Sequence, residues 1–205
     1  MANIILVPGI HTAADVGGMP DLGNVLRNYG HNVKIYSYPT RWAMSVYRKK
    51  VRNEDAAGLY HICRQTNCDV IISHSNGSLV TQDAYQGGMA TSGWISLGGA
   101  CTSDGVYYDP LNFDWAISVY NPHDTALKIG AKLPFHPFGR MGLKGYRGDP
   151  DGNYDDRFYN VNGASSDRWK LNHSHYTSSE LFKWAEFCDN NIRNPLSQLS
   201  IFRDD

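Results

Sequence analysis

The stretch Ser73-His74-Ser75-Asn76-Gly77 places a hydroxyl between small residues, directly after the apolar run Val70-Ile71-Ile72. A serine held on a sharp strand-to-helix turn can serve as a nucleophile, because the turn lifts its Oγ clear of the sheet edge. Such a turn needs small residues two positions before and two after, since larger side chains would collide with the adjoining strand and helix. Ser73 and Gly77 meet that demand for Ser75. The backbone N–H of Asn76 would then face charge developing on an attacked carbonyl oxygen. A serine hydroxyl attacks only when a base takes its proton and a third group orients that base. The chemistry indicated is acyl transfer through a covalent intermediate, which needs neither metal nor cofactor. A plain polar turn closing a strand fits the same five residues, so the surrounding elements must discriminate.

Residues 3–7, Asn-Ile-Ile-Leu-Val, form an apolar run closed by Pro8 and Gly9, the pattern of a strand buried on both faces of a parallel sheet. Leu22, Val25, Leu26 and Tyr29 recur at helical spacing over 19–29, and Gly30 ends that segment. A second strand is predicted over 32–39 and a helix over 45–65. Residues 69–75 predict the strand that carries the serine, and 77–85 the helix behind it. Further strands are expected at 93–100, 115–122 and 156–163, with a short helix at 125–132. Residues 177–192 predict a closing amphipathic helix, started by Thr177 and Glu180 as an S/T-x-x-E capping box. Strands alternating with helices imply a parallel sheet with right-handed crossovers. Residues 133–155 are rich in Gly, Pro and aromatics and show no period. A loop of that length in a compact domain is functional or mobile, which makes the segment a candidate lid. Residues 1–192 read as one domain and 193–205 as a C-terminal tail.

With its strand before and helix after, the turn resembles the G-x-S-x-G nucleophile elbow of the α/β-hydrolase superfamily, Ser73 standing where the first Gly is usual. The resemblance covers residues 3–190. It implies a single-domain α/β-hydrolase fold, a mostly parallel six-stranded sheet with helices on both faces. In family labels the strand order would be 4-3-5-6-7-8, without the first two strands or the cap of larger relatives. It also implies the chain order Ser, acid, His, each at the carboxyl end of a later strand. Asp124, in Tyr-Asn-Pro-His-Asp-Thr-Ala-Leu, resembles the acid turn, a place that equally suits a helix N-cap. Asp104 and Asp109 fall in the loop before that strand. The base is expected between the last strand and the last helix, where His173 and His175 both stand. Similarity to a His-Ser-x-Tyr stretch of some small hydrolases favours His173. The stretch Val-Pro-Gly-Ile-His-Thr is similar to the oxyanion loop after the first strand, with Pro8 in place of its usual His. It would supply the Ile10 N–H beside that of Asn76. His74 would pack beside the elbow, and His11 would line the cleft.

The resemblance therefore implies a serine esterase or lipase acting on a small acyl ester. Thioesterase, amidase and acyltransferase chemistry share that machinery, and a non-catalytic binding protein on the same fold is the alternative from another class. Trp42, Tyr107, Tyr108, Phe135, Phe138 and Tyr146 lie in loops that could reach the carboxyl edge and would suit an apolar acyl group.

A chain of 205 residues, 41% hydrophobic and 19% charged, has the composition of a globular protein with one well-buried core. Nineteen basic against twenty acidic side chains, with no dense basic stripe, argue against a nucleic-acid partner. Arg48, Lys49, Lys50 and Arg52 read as a solvated helix face. No apolar run is long enough to span a bilayer, and no basic leader precedes the first strand, so a cytoplasmic chain is expected. Cys63, Cys68, Cys101 and Cys188 lack C-x-x-C spacing and read as reduced, packed thiols. The G-x-G-x-x-G spacing of a dinucleotide-binding turn is missing after the first strand.

Overall fold

The computed structural model describes residues 1–9, 18–38, 49–104, 106–132, 138–149, 151, 153, 155–163, 173, 175–178 and 180–195. The strands β1 (Asn3–Val7), β2 (Asn32–Ile35), β3 (Val70–His74), β4 (Gly93–Leu97), β5 (Trp115–Tyr120) and β6 (Phe158–Asn162) form one sheet. Every neighbouring pair is parallel, in the order β2-β1-β3-β4-β5-β6. That is the expected 4-3-5-6-7-8 arrangement. The central strands β3 and β4 are buried along their whole length, which is why they read as continuous apolar runs rather than alternating ones.

Alternate side chains feed two cores. Ile5, Val7, Ile71, Trp94 and Phe158 pack against α2 (Lys49–Thr66) and α3 (Asn76–Gln86). Ile4, Leu6, Ile72, Ile95 and Val161 pack against α1 (Gly18–Asn28) and α6 (Leu181–Arg193). Helices thus cover both faces, and two short ones, α4 (Thr125–Gly130) and α5 (Met141–Lys144), flank the carboxyl edge. All four cysteines are free and buried. Among the described residues, no helix is long and apolar enough to cross a membrane.

Several boundaries differ from the sequence reading, each for a local reason. β2 ends at Ile35, and only the Tyr36 N–H prolongs its ladder, to the Leu6 carbonyl at 2.8 Å. Residues 45–48 of the expected second helix lie outside the described residues. α6 starts at Leu181, later than expected, after a 3₁₀ turn at His175–Thr177. Thr177 packs against Gly18 of α1, and Glu180, which stands at the N-cap of α6, makes no side-chain capping bond among the described residues. The Glu180 carboxylate instead accepts from the Trp184 indole N–H at 3.1 Å.

The described part of the candidate lid is fastened down. The N–H groups of Gly139, Met141 and Gly142 donate to the carbonyls of Ala100, Cys101 and Gly99 at 2.9, 3.1 and 2.7 Å. Residues 139–142 are thereby joined to the loop that follows β4.

Of the aromatic loop residues, Tyr107, Tyr108 and Tyr146 go elsewhere. Arg157, immediately before β6, donates to the carbonyls of Tyr108 at 3.0 Å and Phe113 at 3.1 Å. That holds 107–113 at the amino edge of the sheet, far from the turn at Ser75. Tyr108 and Tyr146 are buried among Tyr85, Trp94, Phe113 and Phe158, filling a thick aromatic layer rather than a cleft. Phe138 packs half-buried beside Gly130 at the end of α4. Trp42 and Phe135 lie outside the described residues.

Candidate active site

Ser75 sits between β3 and α3 with φ 54° and ψ −126°, a conformation that L-residues avoid unless their surroundings enforce it. The enforcement is on both sides of the residue. Its N–H donates to the Leu97 carbonyl at 3.2 Å, and its carbonyl accepts from Ala100 and Ser78 at 3.0 Å each. Gly77 lies against the carbonyls of Val7 and Pro8, where a Cβ would come 2.5 Å from the Pro8 oxygen. That contact is the physical reason for a glycine two positions past the turn.

The departure from the usual motif at Ser73 has its own explanation. The Ser73 Oγ accepts the Trp94 indole N–H at 2.8 Å and shares a hydrogen bond with Ser78 Oγ at 2.9 Å. Ser78 Oγ also accepts from Ser96 Oγ at 2.9 Å. These hydroxyls are fully buried, so each depends on the others for its partners.

Asp124 follows β5 on a turn closed by its own N–H donating to the Asn121 carbonyl at 3.1 Å. Its two oxygens do different things. Oδ1 accepts the Leu127 N–H at 2.9 Å and caps α4. Oδ2 accepts from His173 Nδ1 at 2.7 Å, and His173 Nε2 lies 2.7 Å from Ser75 Oγ. An ionised carboxylate can only accept, so the imidazole proton belongs on Nδ1 and Nε2 is left to accept from the serine. The Asp124 side chain is completely buried while that of His173 is 22% exposed. The carboxylate is thus dry and the ring stands open to an incoming molecule.

His173 belongs to no helix or strand, and His74 steadies it. The His74 Nε2–H donates to the His173 carbonyl at 2.8 Å, and the two rings lie 4.9 Å apart between centroids. Tyr176 packs edge-on against His74 and lies near Asp124. Burial first, and the Asp124 charge second, push its phenol well above the ordinary tyrosine value. His175 opens the 3₁₀ turn two residues past His173. Asp109 caps a turn through the Leu111 N–H at 2.8 Å, and Asp104 bridges to Gly148, so neither approaches Ser75.

Asn76 is the first residue of α3, so its N–H has no intrahelical partner. Gly9 approaches the serine closely: a Cβ there would come 2.9 Å from Ser75 Cβ and 3.3 Å from Oγ. Ile10 and His11 lie outside the described residues. One participant was not visible in the sequence. The Tyr38 hydroxyl donates to the Pro8 carbonyl at 2.7 Å and accepts from Asn76 Nδ2 at 3.2 Å. No motif or period marks a tyrosine just past a strand.

No family model matches the sequence, and no curated protein matches it. Solved structures do match in shape. A member of the alpha/beta hydrolase superfamily from Xanthomonas campestris pv. campestris superposes with a TM-score of 0.56 at 13% identity, over 94% of this chain and 99% of that one. An extracellular alpha/beta-hydrolase from a Paenibacillus species gives 0.53 at 12% identity over the full length of both chains. A dienelactone hydrolase from Anabaena variabilis gives 0.52 at 10% identity, over 92% of this chain and 84% of its own. The chain has the α/β-hydrolase fold.

Proposed function

We propose that this protein is a serine hydrolase that cleaves carboxylic esters of small molecules through an acyl-enzyme intermediate. The observation that carries this reading is the unbroken line of contacts from Ser75 Oγ through His173 to Asp124, 2.7 Å at each step. The strained turn at Ser75 supports it, as does the fold shared with hydrolases.

In this mechanism His173 Nε2 takes the Ser75 proton as Oγ attacks the ester carbonyl carbon. Asp124 holds the Nδ1–H and offsets the positive charge that forms on the ring. The tetrahedral oxyanion accepts from the Asn76 N–H and, on the sequence reading, from the Ile10 N–H. The imidazolium returns its proton to the leaving alkoxide, and the alcohol departs. Water then attacks the acyl carbon with His173 again as base, the acid leaves, and Ser75 recovers its proton. No step requires a metal ion or cofactor.

The test is a fluorophosphonate labelling run with mass-spectrometric mapping, beside turnover of p-nitrophenyl butyrate. One adduct on Ser75 is expected, and Ser75→Ala should lose both the adduct and the turnover while remaining folded. A wild-type chain that neither labels nor cleaves the ester would reject the assignment.

A further inference from the structure

We propose that Tyr38 is a positioning residue for the oxyanion pocket, fixing the peptide that leaves β1 against the first residue of α3. The inference rests on the ester-hydrolase reading and adds a residue to it. A carbonyl oxygen can only accept, so the phenol proton goes to Pro8, and the phenol oxygen is left to accept from Asn76 Nδ2. One hydroxyl thereby ties together two segments that converge on Ser75.

The tie matters because of what it holds. In a trans peptide the carbonyl and the following N–H point opposite ways, so pinning the Pro8 oxygen fixes the plane of the Pro8–Gly9 unit. That oxygen faces Tyr38 and Gly77, while the Gly9 Cα lies over Ser75. Gly9 has no side chain to resist rotation of this unit. A rotated Pro8 carbonyl would turn a partial negative charge toward the place where the substrate oxygen becomes an anion. The hydroxyl is itself held in place. The Tyr38 ring stacks on Tyr36 at 5.9 Å, and the Tyr36 hydroxyl donates to the Asp55 carbonyl of α2 at 2.7 Å. The Asn76 Oδ1 is buried without a partner among the described residues, so Tyr38 is what sets the orientation of that amide.

Tyr38→Phe keeps the ring and its packing and removes only the hydroxyl. Its kcat on p-nitrophenyl butyrate should fall about tenfold, less than the ~10²–10³ for deleting an oxyanion donor, with KM unchanged. Affinity for an alkyl boronic acid, which forms a tetrahedral anion on Ser75, should fall by the same factor. A purely structural role would lower the melting temperature without moving those two quantities together. If Tyr38→Phe does not fold, Asn76→Ala deletes one of the two ties and leaves the backbone donor. A parallel few-fold fall in kcat and boronate affinity then supports the proposal, and no change in either overturns it. Wild-type protein that fluorophosphonate does not label would instead reject the ester-hydrolase reading. Wild type labelled at Ser75, with Tyr38→Phe equal to it in kcat and boronate affinity, overturns the role of Tyr38 alone.

Discussion

Replacing Ser73 with glycine, the residue that the elbow motif ordinarily carries there, should destabilise this chain. The Ser73 hydroxyl is fully buried and accepts the indole N–H of Trp94, which is buried as completely. Without that acceptor the indole donor is stranded, at a cost of about 1–3 kcal/mol. A glycine inside a strand adds roughly 0.5–1 kcal/mol of lost backbone entropy. The sum is about 1.5–4 kcal/mol. For a domain of this size each kcal/mol moves the melting midpoint by roughly 2–4 °C, so a fall of about 3–16 °C is expected. Ser73→Ala isolates the hydrogen-bond part, and the difference between the two variants is the glycine contribution. Turnover per folded molecule should change little, because backbone bonds from Leu97 and Ala100 hold Ser75 and remain in place. Thermal unfolding followed by circular dichroism, with ester turnover at 25 °C alongside, makes the measurement. A midpoint for Ser73→Gly within about 1 °C of wild type would refute the argument that the buried hydroxyls depend on one another.

The two oxygens of Asp124 predict that activity and stability can be separated. Asp124→Asn keeps an acceptor for the Leu127 N–H and should leave the urea midpoint nearly unchanged. It should still lower kcat by about 10⁴, since the amide favours the wrong imidazole tautomer. Asp124→Ala should lose the same activity and a further ~1 kcal/mol of stability with the helix cap. Alkaline pH gives another handle. Burial, then the Asp55 charge, push the Tyr36 phenol up to about 12, and burial raises Tyr38 further. Both titrate near 10 when unfolded, so their contribution is complete below that pH and is lost as pH climbs toward 12. Urea midpoints measured between about pH 9 and 11 should fall, and Tyr36→Phe should flatten that fall.

Much of the sheet was legible because the responsible forces act along the chain. A strand buried on both faces must be apolar at every position, as Ile4-Ile5-Leu6-Val7 and Val70-Ile71-Ile72 are. The turn at Ser75 was legible for a similar reason, since its sterics involve only residues two positions away. The N-cap role of Asp124 is likewise a matter of three residues. Helix starts were less legible. Thr177 and Glu180 have the spacing of a cap, yet α6 begins only at Leu181, with Thr177 against Gly18 and the Glu180 carboxylate on Trp184.

What the sequence by itself could specify, then, was the alternation of strands and helices and a serine on a tight turn, while the order of the strands came only with the family resemblance. Tertiary structure alone brought His173 against Ser75 and Asp124, sent Tyr108 and Tyr146 into an aromatic layer, and gave Tyr38 two partners beside the turn. An aromatic loop destined for a core and one destined for a cleft carry the same residue types. Which of them is buried, and which hydroxyl meets which carbonyl, depends on packing between segments dozens of residues apart, where no local period or propensity reaches.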